Sequence, residues 1–265
     1  MNQLISRVLV ALVVLPPVLG MVYLGGWWIA ALAGAACVLA LHEVFKLLRP
    51  FRPVALAGFA GGLAAIAGAV LGGPEWVLGG FMVTLPLAFL LKGMGGTRGS
   101  TAVSVGSTFL AAGWVGLGLA HIVLLREIEI DGRLAVFTVL LAVFADDTAA
   151  YFVGRLVGRH KLAPAISPGK TWEGFVAGTA AAIFVTWIAL YRTEFVDGYR
   201  SFVLGGVIAL AAPLGDLFES ALKRDVDVKD TSRLLGAHGG MLDRLDAHLF
   251  AAVAAFYVIA AFGAA

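Results

Sequence analysis

The chain contains 265 residues, of which 60% are hydrophobic and only 14% are charged, with a formal net charge of +2. Soluble domains are about 45–50% apolar and about 25% charged. The composition therefore excludes an ordinary soluble protein and indicates a membrane protein. The single cysteine, Cys37, excludes an internal disulfide bond.

Apolar runs follow one another along the chain, each near the roughly 20 residues that a membrane-spanning helix needs. Such runs form helices, because lipid offers no partner for backbone polar groups and no run alternates like a barrel strand. The first run follows Arg7 and also has features of a signal peptide, but the many similar runs after it favour a first span. We therefore predict an all-α, polytopic integral membrane protein with about nine transmembrane helices. The predicted spans are 7–25, 27–47, 54–73, 75–92, 102–125, 133–154, 172–191, 201–222 and 247–264.

The positive charges predict an orientation for these spans. With nine spans, the N-terminus and the loops after even-numbered spans share one side, which holds all but four of the 19 Lys and Arg residues. The exceptions are Arg126, Arg133, Arg192 and Arg200. Because cytoplasmic loops carry the excess of Lys and Arg, we expect a cytoplasmic N-terminus.

The polar residues suggest a functional division within a single transmembrane domain. Between Val54 and Leu91 the only charged residue is Glu75, whereas acids and bases crowd into the second half. We expect residues 1–132 to be mainly scaffold and residues 133–265 to supply the catalytic helices and cytoplasmic loops.

Two acidic residues end the apolar part of the sixth span. Asp146 and Asp147 are adjacent, so their side chains point about 100° apart on a helix. At most one of them faces a shared site. The alternative is a pair at a helix end that is solvated among the lipid headgroups.

The segment before the seventh span has the features of a phosphate site. Ser167 can cap the helix with Pro168 as its first residue, and Lys170 adds positive charge where a helix N-terminus attracts phosphate. A P-loop is excluded because position 164 is proline, where that motif requires glycine. The alternative is a plain capped loop beside an interfacial tryptophan.

The eighth span predicts a polar face. Its members Asp216, Glu219, Ser220 and Lys223 are spaced for one side of a helix. A charge at membrane depth costs about 2.5–3.5 kcal/mol unless it meets a polar cavity or a partner. The alternative is a self-contained Glu219–Lys223 pair, with Asp216 near the interface.

The start of the ninth span predicts a metal site. Asp243 and Asp246 lie on one helix face, and paired carboxylates suit Mg²⁺, which also keeps substrate phosphates and waters as ligands. Arg244 points elsewhere and could hold a lipid phosphate. His238 is a ligand, an acid or only part of the His238-Gly239-Gly240 turn.

The stretch from Ser220 to Asp246 resembles the signature of phosphatidate cytidylyltransferases, also called CDP-diglyceride synthases. That signature reads S, two residues, K-R, four residues, K-D, a small residue, and then H-G-G-x-x-D-R-x-D. The matching positions are Ser220, Lys223, Arg224, Lys229, Asp230, Ser232, His238, Gly239, Gly240, Asp243, Arg244 and Asp246. Upstream, residues 215–220 resemble the GDLxES run of this family, residues 167–174 its SPGKTxEG loop, and residues 147–151 its DTGAY run, with Ala149 in place of glycine.

The resemblance implies the reaction of CTP and phosphatidate to CDP-diacylglycerol and pyrophosphate, with Mg²⁺ as cofactor and a second cation left open. It implies a homodimer in the bilayer of the cell inner (plasma) membrane, a site that faces the cytoplasm, and no nucleic-acid partner. Its implied metal ligands are Asp147, Asp216, Asp243 and Asp246. Its implied catalytic residues are Asp216, Asp243, Asp246, Lys223 and Arg244. Its implied substrate-binding residues are Ser167, Lys170, Thr171, Ser220, Arg224, Lys229, Asp230, His238, Gly239 and Gly240.

Two other functions remain open at this point. A cytidylyltransferase or kinase could act on another lipid phosphate, because a pocket for lipid tails is generic hydrocarbon. A cation-coupled secondary transporter could use Asp147 and Asp216 as ion sites. Transporters often show inverted repeats, and the charged residues here fall in one half of the chain.

Overall fold

The computed structural model describes residues 15–95, 99–228, 231–232 and 240–264. Most of these residues are helical, which confirms the all-α prediction. The helices are α1 (described over Leu15–Leu24), α2 (Gly26–Leu47), α3 (Ala55–Leu71), α4 (Pro74–Met82), α5 (Thr84–Met94), α6 (Thr101–Ala111), α7 (Gly118–Glu127), α8 (Gly132–Val157), α9 (Trp172–Ala189), α10 (Tyr199–Asp225) and α11 (Leu242–Ala261). Two short strands, β1 (Lys161–Ala163) and β2 (Ser167–Thr171), lie between α8 and α9.

Within the described residues, seven helical stretches are long and apolar enough to cross a membrane. They are Gly26–Leu47, Pro74–Met94, Thr101–Glu127, Gly132–Val157, Trp172–Ala189, Tyr199–Asp225 and Leu242–Ala261. Two shorter apolar helices, Leu15–Leu24 and Ala55–Leu71, coincide with predicted spans. The count of nine spans and the cytoplasmic N-terminus stay predictions.

The chain folds into two compact units. The first contains Met1–Glu127 and Asp230–Arg244, and the second contains Ile128–Lys229 and Leu245–Ala265. The described residues 231–232 and 240–244 thus belong with helices that precede them by more than a hundred residues. The functional division at residue 132 stays a prediction.

Helix α3 holds the first unit together through small residues. A Cβ on Gly116, in the π-helical turn Ala112–Leu117, would stand only 2.7 Å from the Cα atom of Gly62 in α3. The two backbones are therefore in direct contact at this point. Helices in lipid associate by close packing and not by the hydrophobic effect, so small residues are favoured at such contacts.

The second unit contains a hairpin that the sequence analysis did not predict. Strands β1 and β2 are antiparallel, with Lys161 opposite Thr171 and Ala163 opposite Ser167. The prediction that Ser167 caps the next helix is therefore wrong. The cap is Thr171, whose hydroxyl oxygen accepts a hydrogen bond from the Gly174 amide at 3.2 Å.

Glycines let α8 and α9 approach closely. A Cβ on Gly174 would stand 2.6 Å from the Ala150 carbonyl oxygen and 3.2 Å from the Cα atom of Gly154. A Cβ on Gly158 would stand 2.7 Å from the Thr171 hydroxyl oxygen. These glycines therefore serve helix packing. This contact places the end of β2 beside the polar end of α8.

Candidate active site

An ion pair in the second unit connects β2 with α10. The Lys170 Nζ atom lies 2.9 Å from the Asp216 Oδ2 atom, and it also donates to the Pro213 carbonyl oxygen at 3.3 Å. Pro213 lies inside α10, three residues before Asp216. Lys170 thus binds a carboxylate and a nearby carbonyl of the same helix.

Two further carboxylates lie near this pair. The charge of Asp216 acts on both Asp147 in α8 and Asp246 in α11. Asp147 is exposed, and the charge of Lys170 also reaches it, whereas Asp246 is buried. Three of the four predicted metal ligands, each on a different helix of the second unit, are therefore within electrostatic range of one another.

Gly215 explains how α10 and α11 come so close. A Cβ at this position would stand 3.0 Å from the Asp246 carbonyl carbon and 3.2 Å from the Cα atom of Ala247, and it would overlap the Asp246 carbonyl oxygen. Any larger residue would push the two helices apart. Residue 215 must therefore be glycine for α10 to pack against α11 at Asp246.

The polar face predicted for the eighth span is present, and the Glu219–Lys223 pair of the alternative interpretation forms within it. The Ser220 hydroxyl donates to the Asp216 Oδ1 atom at 3.3 Å, and the Lys223 Nζ atom lies 3.3 Å from the Glu219 Oε2 atom. Glu219 is fully buried and lies close to Asp246. Glu219 therefore joins the two predicted residues Lys223 and Asp246, although it was not predicted as a site residue.

Asp146 and Asp147 point in different directions, as the helix geometry predicts. The Asp146 side chain is 2% exposed and lies against Gly178 of α9, where a Cβ would stand 2.6 Å from its Oδ1 atom. Among the described residues, no hydrogen-bond donor meets that oxygen. Asp146 is therefore at the α8–α9 contact, and Asp147 is the member of the pair on the side of Asp216.

The hairpin positions the other predicted phosphate-binding residues of this unit. The Arg224 Nε atom donates to the Ile166 carbonyl oxygen at 3.3 Å, which connects the exposed end of α10 to the hairpin turn. Ser167 opens β2, and the hydroxyl group of buried Thr171 is engaged in the helix cap. Lys170 is the residue of this segment whose charged group lies at the acidic cluster.

A second polar cluster lies in the first unit and has Glu43 at its centre. Its carboxylate accepts hydrogen bonds from the Ser232 hydroxyl and from the amides of Met241 at 3.0 Å and Leu242 at 2.8 Å. Glu43 is 2% exposed. The sequence analysis missed this residue, although an acid within the apolar run of α2 is itself a signal of function.

Asp243 belongs to the same cluster. Its Oδ2 atom accepts hydrogen bonds from the Thr231 hydroxyl at 2.9 Å and from the Gly240 amide at 2.8 Å. Arg244 follows it and is exposed. The predicted site residues Lys229, Asp230, His238 and Gly239 lie outside the described residues.

The acidic groups fit a magnesium ion in their chemistry. Within the described part of the chain, no group of three or more His, Cys, Asp or Glu side chains is placed so that it could hold a metal ion. Mg²⁺ typically binds one or two carboxylates and completes its shell with waters and substrate phosphates. Asp147, Asp216 and Asp246 supply hard oxygen atoms of this kind, so they suit an ion held jointly with a phosphorylated substrate.

Comparison with known proteins identifies relatives over most of the chain. A family model described as "Cytidylyltransferase family" matches residues 5–262. The phosphatidate cytidylyltransferase of Mycobacterium bovis is 37% identical over 256 residues, which cover 88% of this chain and 80% of the relative. The same-named protein of Mycobacterium tuberculosis H37Rv is also 37% identical over 256 residues, with 88% and 74% covered. That of Bacillus subtilis is 36% identical over 159 residues, with 60% and 59% covered.

Proposed function

Because the chain belongs to the cytidylyltransferase family, we propose that it is a phosphatidate cytidylyltransferase. It converts CTP and phosphatidate to CDP-diacylglycerol and pyrophosphate. The observation that carries this function is the 37% identity, over 88% of the chain, to a protein of that name. The acidic cluster around Asp216 and the bases beside it agree with a reaction between two phosphorylated substrates.

The reaction needs an acceptor oxygen, a leaving group and charge compensation. A phosphate oxygen of phosphatidate attacks the α-phosphorus of CTP, and the bond from that phosphorus to the bridging oxygen of pyrophosphate breaks. The attacking oxygen is already anionic, so the protein does not need to supply a strong base. Catalysis then depends on positioning and on neutralising the negative charge that develops on pyrophosphate.

Lys170 is the residue best placed to provide part of this charge. Its ammonium group stands among carboxylates on a short strand that is fixed by the hairpin and by the Thr171 cap. An ammonium group held in position before the substrate arrives loses little freedom when a phosphate binds. Arg224 and Arg244 are exposed and are proposed to bind phosphates, as is Lys223.

Asp147, Asp216 and Asp246 would hold Mg²⁺, together with Asp243 by the family resemblance. The bound ion would act as a Lewis acid that neutralises phosphate oxygens. The carboxylates of the protein would set the position of the ion, and Glu219 would hold Asp246 in place.

We also propose where the protein is located in the cell and how it assembles. The apolar helices support a location in the bilayer, and the excess of positive charge on one predicted side supports a site that faces the cytoplasm. The family resemblance adds the inner (plasma) membrane and a homodimer.

The experiment uses purified protein in detergent with labelled CTP, Mg²⁺ and phosphatidate. We expect pyrophosphate release and a lipid-soluble cytidylate. Polyprenyl phosphate serves as the competing acceptor, and turnover with it alone would replace phosphatidate by another lipid substrate. A protein that forms no lipid cytidylate with either acceptor would refute the proposal.

A further inference from the structure

Glu43 lies outside every motif that indicates the cytidylyltransferase reaction. It sits in the apolar helix α2, yet its carboxylate is 2% exposed. Burying a carboxylate is expensive unless donors surround it. Among the described residues, the donors are the Ser232 hydroxyl and the amides of Met241 and Leu242.

Those donors flank residues 233–239 on both sides. Ser232 precedes this stretch and donates through its hydroxyl, whereas Met241 and Leu242 follow it and donate through their amides. The latter amides open α11, where the first N–H groups of a helix lack partners within the helix. Glu43 therefore caps the start of α11 from another helix, and it also binds Ser232, which precedes residues 233–239.

Gly240 provides the space for this arrangement. A Cβ at Gly240 would stand 2.5 Å from the Glu43 Oε2 atom and would overlap the Thr231 hydroxyl oxygen. Alanine at this position would therefore displace the carboxylate. The second glycine of the family's H-G-G signature thus has a physical role in admitting Glu43.

Thr231 connects Glu43 with Asp243. Its hydroxyl oxygen lies 2.9 Å from the Asp243 Oδ2 atom and 3.3 Å from the Glu43 Oε2 atom. A threonine hydroxyl has a single hydrogen to donate, and the shorter distance assigns it to Asp243. Glu43 packs on the other side of this hydroxyl group and limits where it can point.

We infer that Glu43 is a positioning residue for cytidylyl transfer. It acts through Thr231 and the first turn of α11 to fix the carboxylate of Asp243. This inference rests on the proposed function, in which Asp243 helps to hold Mg²⁺. A residue that only anchored α2 would affect folding, whereas a positioning residue also lowers the turnover of the folded protein.

The test compares Glu43→Gln and Glu43→Asp with the wild type in detergent. The glutamine amide group presents donors to amides that are themselves donors, whereas aspartate keeps the charge but shortens the side chain. For Glu43→Gln we expect kcat to fall about 10–100-fold, the range seen when a partner of a metal ligand is lost. We expect kcat/KM to fall equally, because the lost interaction acts in the transition state. Aspartate is expected to recover part of the turnover. Glu75→Gln is the matched control, since Glu75 is an exposed acid of the same unit.

Thr231→Val keeps the test decisive if the Glu43 variants fold poorly. It removes only the hydroxyl that donates to Asp243 and packs against Glu43, and we expect a smaller fall in kcat with the melting temperature nearly unchanged. A Glu43→Gln protein with turnover within twofold of wild type would overturn the inference. It would also be overturned if Thr231→Val kept full turnover while the Glu43 variants lost activity only in proportion to their folded fraction.

Hydrogen exchange provides a measurement that does not depend on turnover. In Glu43→Gln we expect faster exchange of the Met241 and Leu242 amides, and no change in the amides of α8. Unchanged exchange at these amides would contradict the contact itself. If the wild type formed no lipid cytidylate, the proposed function would fail, whereas the exchange result would still report whether Glu43 holds this turn.

Discussion

The Lys170–Asp216 ion pair supports a quantitative prediction for Lys170→Met. The N–O distance is 2.9 Å, and the two side chains are 23% and 35% exposed. A hydrogen bond between charged groups contributes about 1.5–3 kcal/mol, and partial exposure lowers that value towards the few tenths to one kcal/mol of surface pairs. We therefore expect a coupling energy of about 1–2 kcal/mol between these two side chains.

The sign of the single-variant effect follows from the surrounding carboxylates. Removing Lys170 leaves Asp216 close to the negative charges of Asp147 and Asp246, so Lys170→Met lowers the free energy of unfolding. Asp216→Asn alone leaves the ammonium group near the Asp147 carboxylate and costs less. The double variant is then more stable than the sum of the single effects predicts.

The assay is a double-mutant cycle, with reversible unfolding measured in mixed micelles for the wild type, both single variants and the double variant. Lys161→Met is the matched control, because Lys161 lies on the paired strand and is exposed. Independent sites add within about 0.3–0.5 kcal/mol. Additivity within that limit for Lys170 and Asp216 would refute the reasoning that this pair couples β2 to α10.

Three further predictions concern the acidic cluster. Asp246→Asn is expected to lower turnover on the order of a hundredfold or more, while the protein stays monodisperse in detergent. Asp197 is exposed, and the control Asp197→Asn is expected to keep wild-type turnover. Similar rates in the two variants would exclude Asp246 from the site. Gly215→Ala is expected to lower both the melting temperature and the turnover, because the new Cβ meets the Asp246 backbone. The control Gly206→Ala has open space around its Cβ and is expected to be neutral or slightly stabilising. Equal melting temperatures for the two variants would contradict the close approach of α10 and α11. Chelation of divalent ions is expected to abolish turnover, with recovery on addition of Mg²⁺, and turnover that persists in chelator would remove the metal from the proposal.

Several features of the protein were predictable because they depend on local sequence. Apolar run length identified the membrane helices, since the thickness of the hydrocarbon layer sets how many residues are needed. The helical period placed Asp216, Glu219, Ser220 and Lys223 on one face, and the contacts Ser220–Asp216 and Lys223–Glu219 confirm it. The family signature identified the chemistry, because it preserves the residue types that bind phosphate and metal.

Other features were decided only by tertiary structure. The strand register of Lys161 and Thr171 moved the helix cap from Ser167 to Thr171, because pairing across a turn outweighs the local preference for a cap. Glu219 became a partner of Asp246 only when α10 met α11 at Gly215.

Glu43 shows the limit of sequence reasoning most clearly, since 199 residues separate it from Leu242, whose amide it binds. Hydropathy and helical periodicity describe how each segment meets lipid and its own neighbours. They do not predict which distant residues will donate hydrogen bonds to a buried carboxylate, because those contacts form only when the helices pack together.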